Sequence, residues 1–325
     1  MVNAPISAAL VRAALAVLLT ISLMPAALAQ PREREFELVG ASVQKRANAV
    51  LSLMGYSLTP DVTTGSLSIN DAAASNPGFR LTTLGGGDIL SRDFPLYLEG
   101  TAAYSRYDPV FVASNGVESR SIPVKWNTLT GTGGVGWDFF LTDDLKLRPI
   151  FNFSLGRVAS DASVASFILE NVTGTEIDFV KNGKLNAIGL GGSLMLDYEM
   201  SRPDYEIDVE MRYTNIHIRT TRGTSEAVQG SADTQSFGLW SRWRAPIGGL
   251  TLLDRPLRYV LEFSHSRYFG DESAVLGVDY LSAVGVGLEL DSSKYPVIIT
   301  RTRLMFRYLF SPYAHGTSVG LAVSF

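Results

Sequence analysis

The sequence predicts an all-β transmembrane barrel of about 12 antiparallel strands, with one N-terminal helix that can lie inside the pore. Three observations predict it. From Thr63 onward, apolar residues alternate with polar or small ones in stretch after stretch, which is the period of a strand with two unlike faces. Most stretches reach the ~9–11 residues that a tilted strand needs to cross a bilayer. The final stretch sets Val319, Leu321, Val323 and Phe325 against Gly320, Ala322 and Ser324, so one face is greasy and the other nearly bare.

Residues 1–29 read as a signal peptide. Arg12 precedes the apolar run AALAVLLTISLM (13–24), and Ala27-Leu28-Ala29 supplies a cleavage site before Gln30. Removing that segment leaves 27 Lys+Arg, after loss of Arg12 from 28, against 32 Asp+Glu, a formal charge of −5. This mild acidity argues against a nucleic-acid partner, which needs clustered basic residues. An exported chain with no cysteine has neither a disulfide framework nor thiol chemistry.

Residues 30–62 form an N-terminal segment. Within it Phe36, Val39, Val43, Ala47, Val50 and Met54 recur at helical spacing, which predicts a helix over 36–54. As a plug it would touch the pore wall through Gln44, Lys45 and Arg46. A periplasmic helix or a loose lead segment are the other placements.

The barrel is expected over 63–325. Its strands are read as 63–70, 78–86, 94–107, 124–141, 145–160, 185–201, 205–221, 232–248, 255–270, 279–291, 297–311 and 316–325. Every second connection is a short turn, such as Asp143-Asp144, Arg202-Pro203-Asp204 or Gly248-Gly249, while the others include the long segments 108–123 and 161–184. Short periplasmic turns and longer outside loops are the habit of outer-membrane barrels. Aromatic girdles are expected from Trp137, Phe139, Tyr198, Trp243, Tyr259, Tyr280 and Tyr308. The longest loop, with Phe167, Ile168 and Leu169, is expected to pack into the mouth.

The second face of the strands mixes charge with small residues, which suits a confined polar lumen. A lumen charge network is expected from Asp208, Glu210, Arg212, Arg242, Arg244, Glu262, Glu289, Arg301, Arg303 and Arg307. Asp208 and Glu210 should lie near Arg242 and Arg244 on the next strand, as cross-strand pairs do. The network can act as a selectivity lining or simply rigidify a narrow barrel.

Three histidines, His217, His265 and His315, are the only candidates for base catalysis. His265 has Ser266 beside it, but adjacent residues face opposite sides. His217 and His315 fall near the outer end, with Asp271 and Glu272 in a nearby loop. No metal-ligand spacing and no phosphate loop is found; GLGGS (189–193) lies inside a strand pattern.

The signal peptide, the single helix, the 12 strands and the terminal Val319, Leu321, Val323 and Phe325 together resemble the translocator β-domain of autotransporters, and more closely the solitary autotransporter-like barrels. The resemblance implies a narrow pore occupied by a helix, no cofactor and no assigned enzyme activity. It also implies that the terminal alternation is read by the outer-membrane assembly machinery. A passenger domain is missing from the pattern, since only a few residues separate Gln30 from the helix. The expected protein is thus a monomeric outer-membrane channel or translocator-like pore, in contact with lipid and free of metal. An outer-membrane hydrolase with rim histidines and a non-conducting adhesion barrel are the alternatives.

Overall fold

The computed structural model describes residues 37–39, 51, 54, 64–71, 79–107, 110–114, 119–123, 125–161, 184–224, 229–271, 279–294, 299–312 and 314–324. Before the barrel lies β1 (Glu37–Val39). The strands that follow are β2 (Thr64–Asp71), β3 (Phe79–Ile89), β4 (Leu96–Tyr107), β5 (Val110–Ser114), β6 (Ser119–Pro123), β7 (Lys125–Trp137), β8 (Phe139–Phe140) and β9 (Leu145–Asp161). The second half holds β10 (Lys184–Ser201), β11 (Glu206–Thr220), β12 (Ser231–Leu252), β13 (Arg255–Gly270), β14 (Tyr280–Asp291), β15 (Arg301–Phe310) and β16 (Ala314–Ser324).

Each long strand pairs antiparallel with its sequence neighbour, and β16 pairs back onto β2, so β2, β3, β4, β7 and β9–β16 close into a ring of 12. Closure leaves none of the twelve ring strands at an open edge, the condition for a sheet in lipid. The expected strands 124–141 and 232–248 need adjustment. Asp138 interrupts the first, so that β8 continues the pairing with β9 alone. The second runs on to Leu252, with its register broken between Pro246 and Thr251. Gly248 and Gly249 have φ of 48° and 78° and form that irregularity, while the turn itself falls at Leu253–Asp254, both at positive φ.

The distribution of side chains is inverted relative to a soluble protein. Along β9, Phe151, Phe153 and Leu155 are exposed, whereas Lys146, Arg148, Asn152 and Ser154, which have the opposite parity, are buried. The same holds on β15, with Leu304, Phe306 and Tyr308 outside and Arg303 and Arg307 inside. Water would reverse both preferences. From Leu145 to Leu155 the outward row covers roughly 33 Å of strand, or roughly 25 Å of height at a ~40° tilt, the thickness of a barrel's apolar band. The chain therefore folds as a transmembrane β-barrel.

At one end the strands are joined by short turns, and at the other by the longer connections, including 108–124 with the β5–β6 hairpin and 162–183. Residues 162–183, with the expected mouth-packing Phe167, Ile168 and Leu169, lie outside the described residues. So does Phe325; Val319, Leu321 and Val323 point outward and are exposed.

The N-terminal helix is corrected at its start. Glu37–Val39 form a strand whose residues pair with Ser114, Ala113 and Val112 of the β5–β6 hairpin, because the open edge of that hairpin offers ladder partners that a first helical turn lacks. Leu51 and Met54 are helical, with 0% and 1% exposure. Gln44, Lys45 and Arg46 lie outside the described residues.

Candidate functional site

Alternation along the strands puts charge inside the ring, where it gathers into two networks. The first begins at the β7–β8 break. There Asp138 accepts two hydrogen bonds from Arg148, one from Nε and one of 2.8 Å from Nη2. Arg148 also meets Asp197 at 3.2 Å, and Lys146 meets Asp197 at 3.3 Å and Glu199 at 3.0 Å. The Arg148 guanidinium stacks 3.8 Å above the Tyr97 ring, a cation–π contact strengthened by exclusion of water.

Glu99 is the hub of the same network. Arg212 grips it with two bonds of 2.8 and 2.7 Å, Asn152 donates at 2.7 Å and the Tyr97 hydroxyl at 3.0 Å. Ser193 completes the chain, donating to Asn152 Oδ1 at 2.6 Å and accepting from Arg212 at 3.0 Å. Gly134, the ladder partner of Glu99, makes room for this: a Cβ there would sit 2.5 Å from Glu99 Cγ.

The second network joins β11 to β15. Glu206 binds Arg244, Arg258 and Arg301 at 3.0, 2.8 and 3.0 Å. Asp208 meets Arg244 at 2.8 Å and Arg242 at 3.6 Å. Glu289 holds Arg303 at 2.6 Å, Glu262 holds Arg307 at 2.5 Å, and Asp291 reaches Arg258 at 3.3 Å. Arg242 also lies 4.0 Å above the Trp240 ring.

All ten residues expected in the lumen stand on this inward face, and nine have partners there. Glu210 makes no hydrogen bond or ion pair among the described residues, although it was expected beside Arg242 and Arg244. Two pairs reach well beyond the adjacent strand. Glu99 on β4 and Arg212 on β11 have β7, β9 and β10 between them, and Glu206 on β11 and Arg301 on β15 have β12, β13 and β14 between them. Such bonds cross the lumen and narrow it.

Sequence reasoning missed Glu99, Asp138, Lys146, Arg148, Asn152, Glu206, Arg258 and Asp291. The signal was present. Lys146, Arg148 and Asn152 share one parity on β9, and Glu206 shares the parity of Asp208. What alternation leaves out is the partner, because cross-lumen pairs join residues distant in sequence.

Inside the ring, Gly156 shares the parity of Ser154 and Asn152. A Cβ at this position would collide with the terminal methyl of Met54, so the helical residue rests against the lumen wall.

The histidines lie on the outward face. His217 Nδ1 and Asp233 Oδ1 are 2.7 Å apart, and the Asp233 amide donates to Asp271 Oδ2 at 3.0 Å. His265 Nδ1 is 2.8 Å from Ser282 Oγ, rather than beside the adjacent Ser266. His315 is exposed opposite Phe310. Among the described residues the acid–His pair and the His–Ser pair are thus separate, and no group of three or more metal-binding side chains occurs. Glu272 lies outside the described residues.

No protein-family model and no curated protein sequence matches this chain. Solved structures that it resembles include the transport unit of the autotransporter AIDA-I from Escherichia coli, at 12% identity over 88% of this chain and 100% of that one, with a TM-score of 0.48. The β-domain of the Bordetella autotransporter BrkA is similar at 14% identity over 81% and 97%, with a TM-score of 0.46. The KdgM porin is similar at 10% identity over 81% and 99%, with a TM-score of 0.36.

Proposed function

We propose that the protein is an outer-membrane pore of the translocator kind, with its own N-terminal segment passing through the lumen. One observation carries the reading. Glu37–Val39 pair with the β5–β6 hairpin at the long-loop end, Met54 rests on Gly156 within the ring, and Thr64 opens β2 at the short-turn end. The chain thus has described residues at one end of the barrel, inside it and at the other end. If the long loops face outside, as they do in outer-membrane barrels, Glu37 is at the cell surface and Thr64 at the periplasm.

The two cross-lumen ion pairs and the seated Met54 support a channel that is closed at rest. Export by residues 1–29 and insertion by the outer-membrane assembly machinery, reading the alternation that ends at Phe325, complete the proposal. The rim-hydrolase alternative would need an acid, a histidine and a hydroxyl brought to one place, and His217–Asp233 and His265–Ser282 each supply only part of that set.

The absence of cysteine from the sequence makes a clean test possible. Single Glu37→Cys and Thr64→Cys variants are treated on intact cells with a membrane-impermeant maleimide. Labelling of position 37 and protection of position 64 is the expected result. Protection of position 37, with labelling restored after cell rupture, would sink the threaded reading.

A further inference from the structure

We propose that the ionised Glu210 sets the charge preference of the lumen, drawing small cations along the inner wall of β11, β12 and β13 and turning anions away. The inference deepens the pore reading above, on which its meaning rests, by naming the class of solute.

The inner wall is covered unevenly. On β4, β7 and β9 the inward Thr101, Thr128, Thr130, Asn152 and Ser154 are all buried. On β11, β12 and β13 the inward Glu210, Gly238, Trp240, Ser264 and Ser266 are only half-buried. They form a continuous strip: Glu210 pairs with Trp240 and Trp240 with Ser264, while Gly238 pairs with Ser266 in the next inward row. An inward side chain of a closed ring gains its exposure from the lumen, so the strip lines the open side of it. Gly238 marks free space there, since a Cβ on it would meet no atom closer than the Ser266 Oγ at 3.8 Å.

Glu210 is the charge on this strip. Every other inward carboxylate named above has a basic partner, and Glu210 has none among the described residues. The cations around it are committed elsewhere. Arg212, on the same face of β11, is bound to Glu99, and Arg148 to Asp138. Arg242 lies against the Trp240 ring, with Asp208 and Glu262 each at 3.6 Å. Directly opposite Glu210 on β10 stands another acid, Asp197. Lys146 and Arg148 hold its Oδ2, while its buried Oδ1 has no hydrogen-bond partner. The surroundings therefore leave the field of Glu210 uncancelled.

Ion pairs exert little field on a passing ion, because their charges cancel. An unpaired carboxylate between low-dielectric walls acts on every ion that passes, and acidic side chains are what make pores prefer cations. Even at the dielectric constant of water, one negative charge a few ångströms away favours a univalent cation over an anion by about three- to tenfold.

The absence of cysteine from the sequence permits a test on the full-length protein in detergent micelles. Ser264→Cys places a thiol on the strip. Its modification by a cationic and by an anionic methanethiosulfonate of equal chain length is timed in alkaline buffer, which keeps the carboxylate ionised. Each rate is divided by that of a small free thiol. The cationic reagent should then react about three- to tenfold faster. S264C/E210Q should bring the ratio close to one, S264C/E210D should keep most of it, and S264C/E210K should invert it. Equal rates in S264C, or a ratio that survives E210Q, overturns the proposal. A thiol that neither reagent reaches also overturns it, because the strip would be closed to water. If the Gln variant fails to fold, salt decides: added salt should lower the ratio in S264C by screening, and an unchanged ratio overturns the proposal. Failure of the pore reading is seen separately, as silence in planar bilayers, and leaves these rates untouched.

Discussion

Glu99 and Arg212 are 113 residues apart in the chain and meet through two hydrogen bonds, of 2.8 and 2.7 Å, inside the barrel. Both side chains are almost completely buried. Removing one member leaves the other charge desolvated and alone, which costs about 3–5 kcal/mol for buried pairs. Glu99→Ala and Arg212→Ala should each destabilise the barrel on that scale, read as the urea midpoint in detergent. The double variant Glu99→Leu/Arg212→Met should recover most of the loss. A double variant as unstable as the sum of the singles would mean that the pair is not an energetic unit.

Phe151 separates the membrane reading from a soluble one. It stands mid-way in the outward row of β9 and is 57% exposed. On a water-facing surface Phe→Arg would shift stability by roughly ±0.5 kcal/mol. On a lipid-facing one, near the bilayer midplane, Phe151→Arg should cost about 2–4 kcal/mol. Unfolding in lipid vesicles measures the difference directly, and a near-neutral result would contradict burial of this face in hydrocarbon.

Most of the fold was legible because membrane strands announce themselves twice, by period and by length. The strand 145–160 was read within one residue of Leu145–Asp161, since Leu, Phe and Pro alternate there with Lys, Arg and Asn. The failures have local causes. Residues 37–39 carry a helical period but join a hairpin edge, a tertiary choice that periodicity cannot register. Gly248-Gly249 resembles a turn because glycine is the usual turn residue, yet the strand absorbs both and turns at Leu253-Asp254. Within the lumen, the inward face of Asp208, Arg244 and Arg303 followed from parity. The bond from Arg301 to Glu206 did not, because it depends on how tightly the ring closes.

Closure of the channel should depend on the ion pairs as well as on the N-terminal segment. Deleting residues 36–54 removes Met54 from Gly156 but leaves Glu99–Arg212 and Glu206–Arg301 across the lumen. In planar bilayers the wild type should be silent, the deletion should conduct weakly, and the deletion combined with Glu99→Gln and Arg301→Gln should conduct more. The neutral amides keep side-chain volume at Glu99 and lessen charge pairing across the lumen. Silence in all three forms would sink the pore reading.

The seat of Met54 permits the most direct trial of the threaded segment. Because a Cβ at Gly156 would fall within the Met54 side chain, 3.7 Å from its Cγ, cysteines at these two positions should come within reach of a disulfide, which needs Cβ atoms about 3.5–4.5 Å apart. No native thiol competes, since the sequence contains no cysteine. Met54→Cys/Gly156→Cys should therefore oxidise during export and run faster on a non-reducing gel than after reduction. Met54→Cys paired with Gly131→Cys, whose Cβ would meet nothing within 4 Å and would point out of the barrel, should stay reduced. Cross-linking of the control pair alone would place residue 54 outside the lumen. Cross-linking of the test pair alone would fix the N-terminal segment against the inner wall of β9, between the surface hairpin that holds Glu37 and the opposite rim where β2 begins.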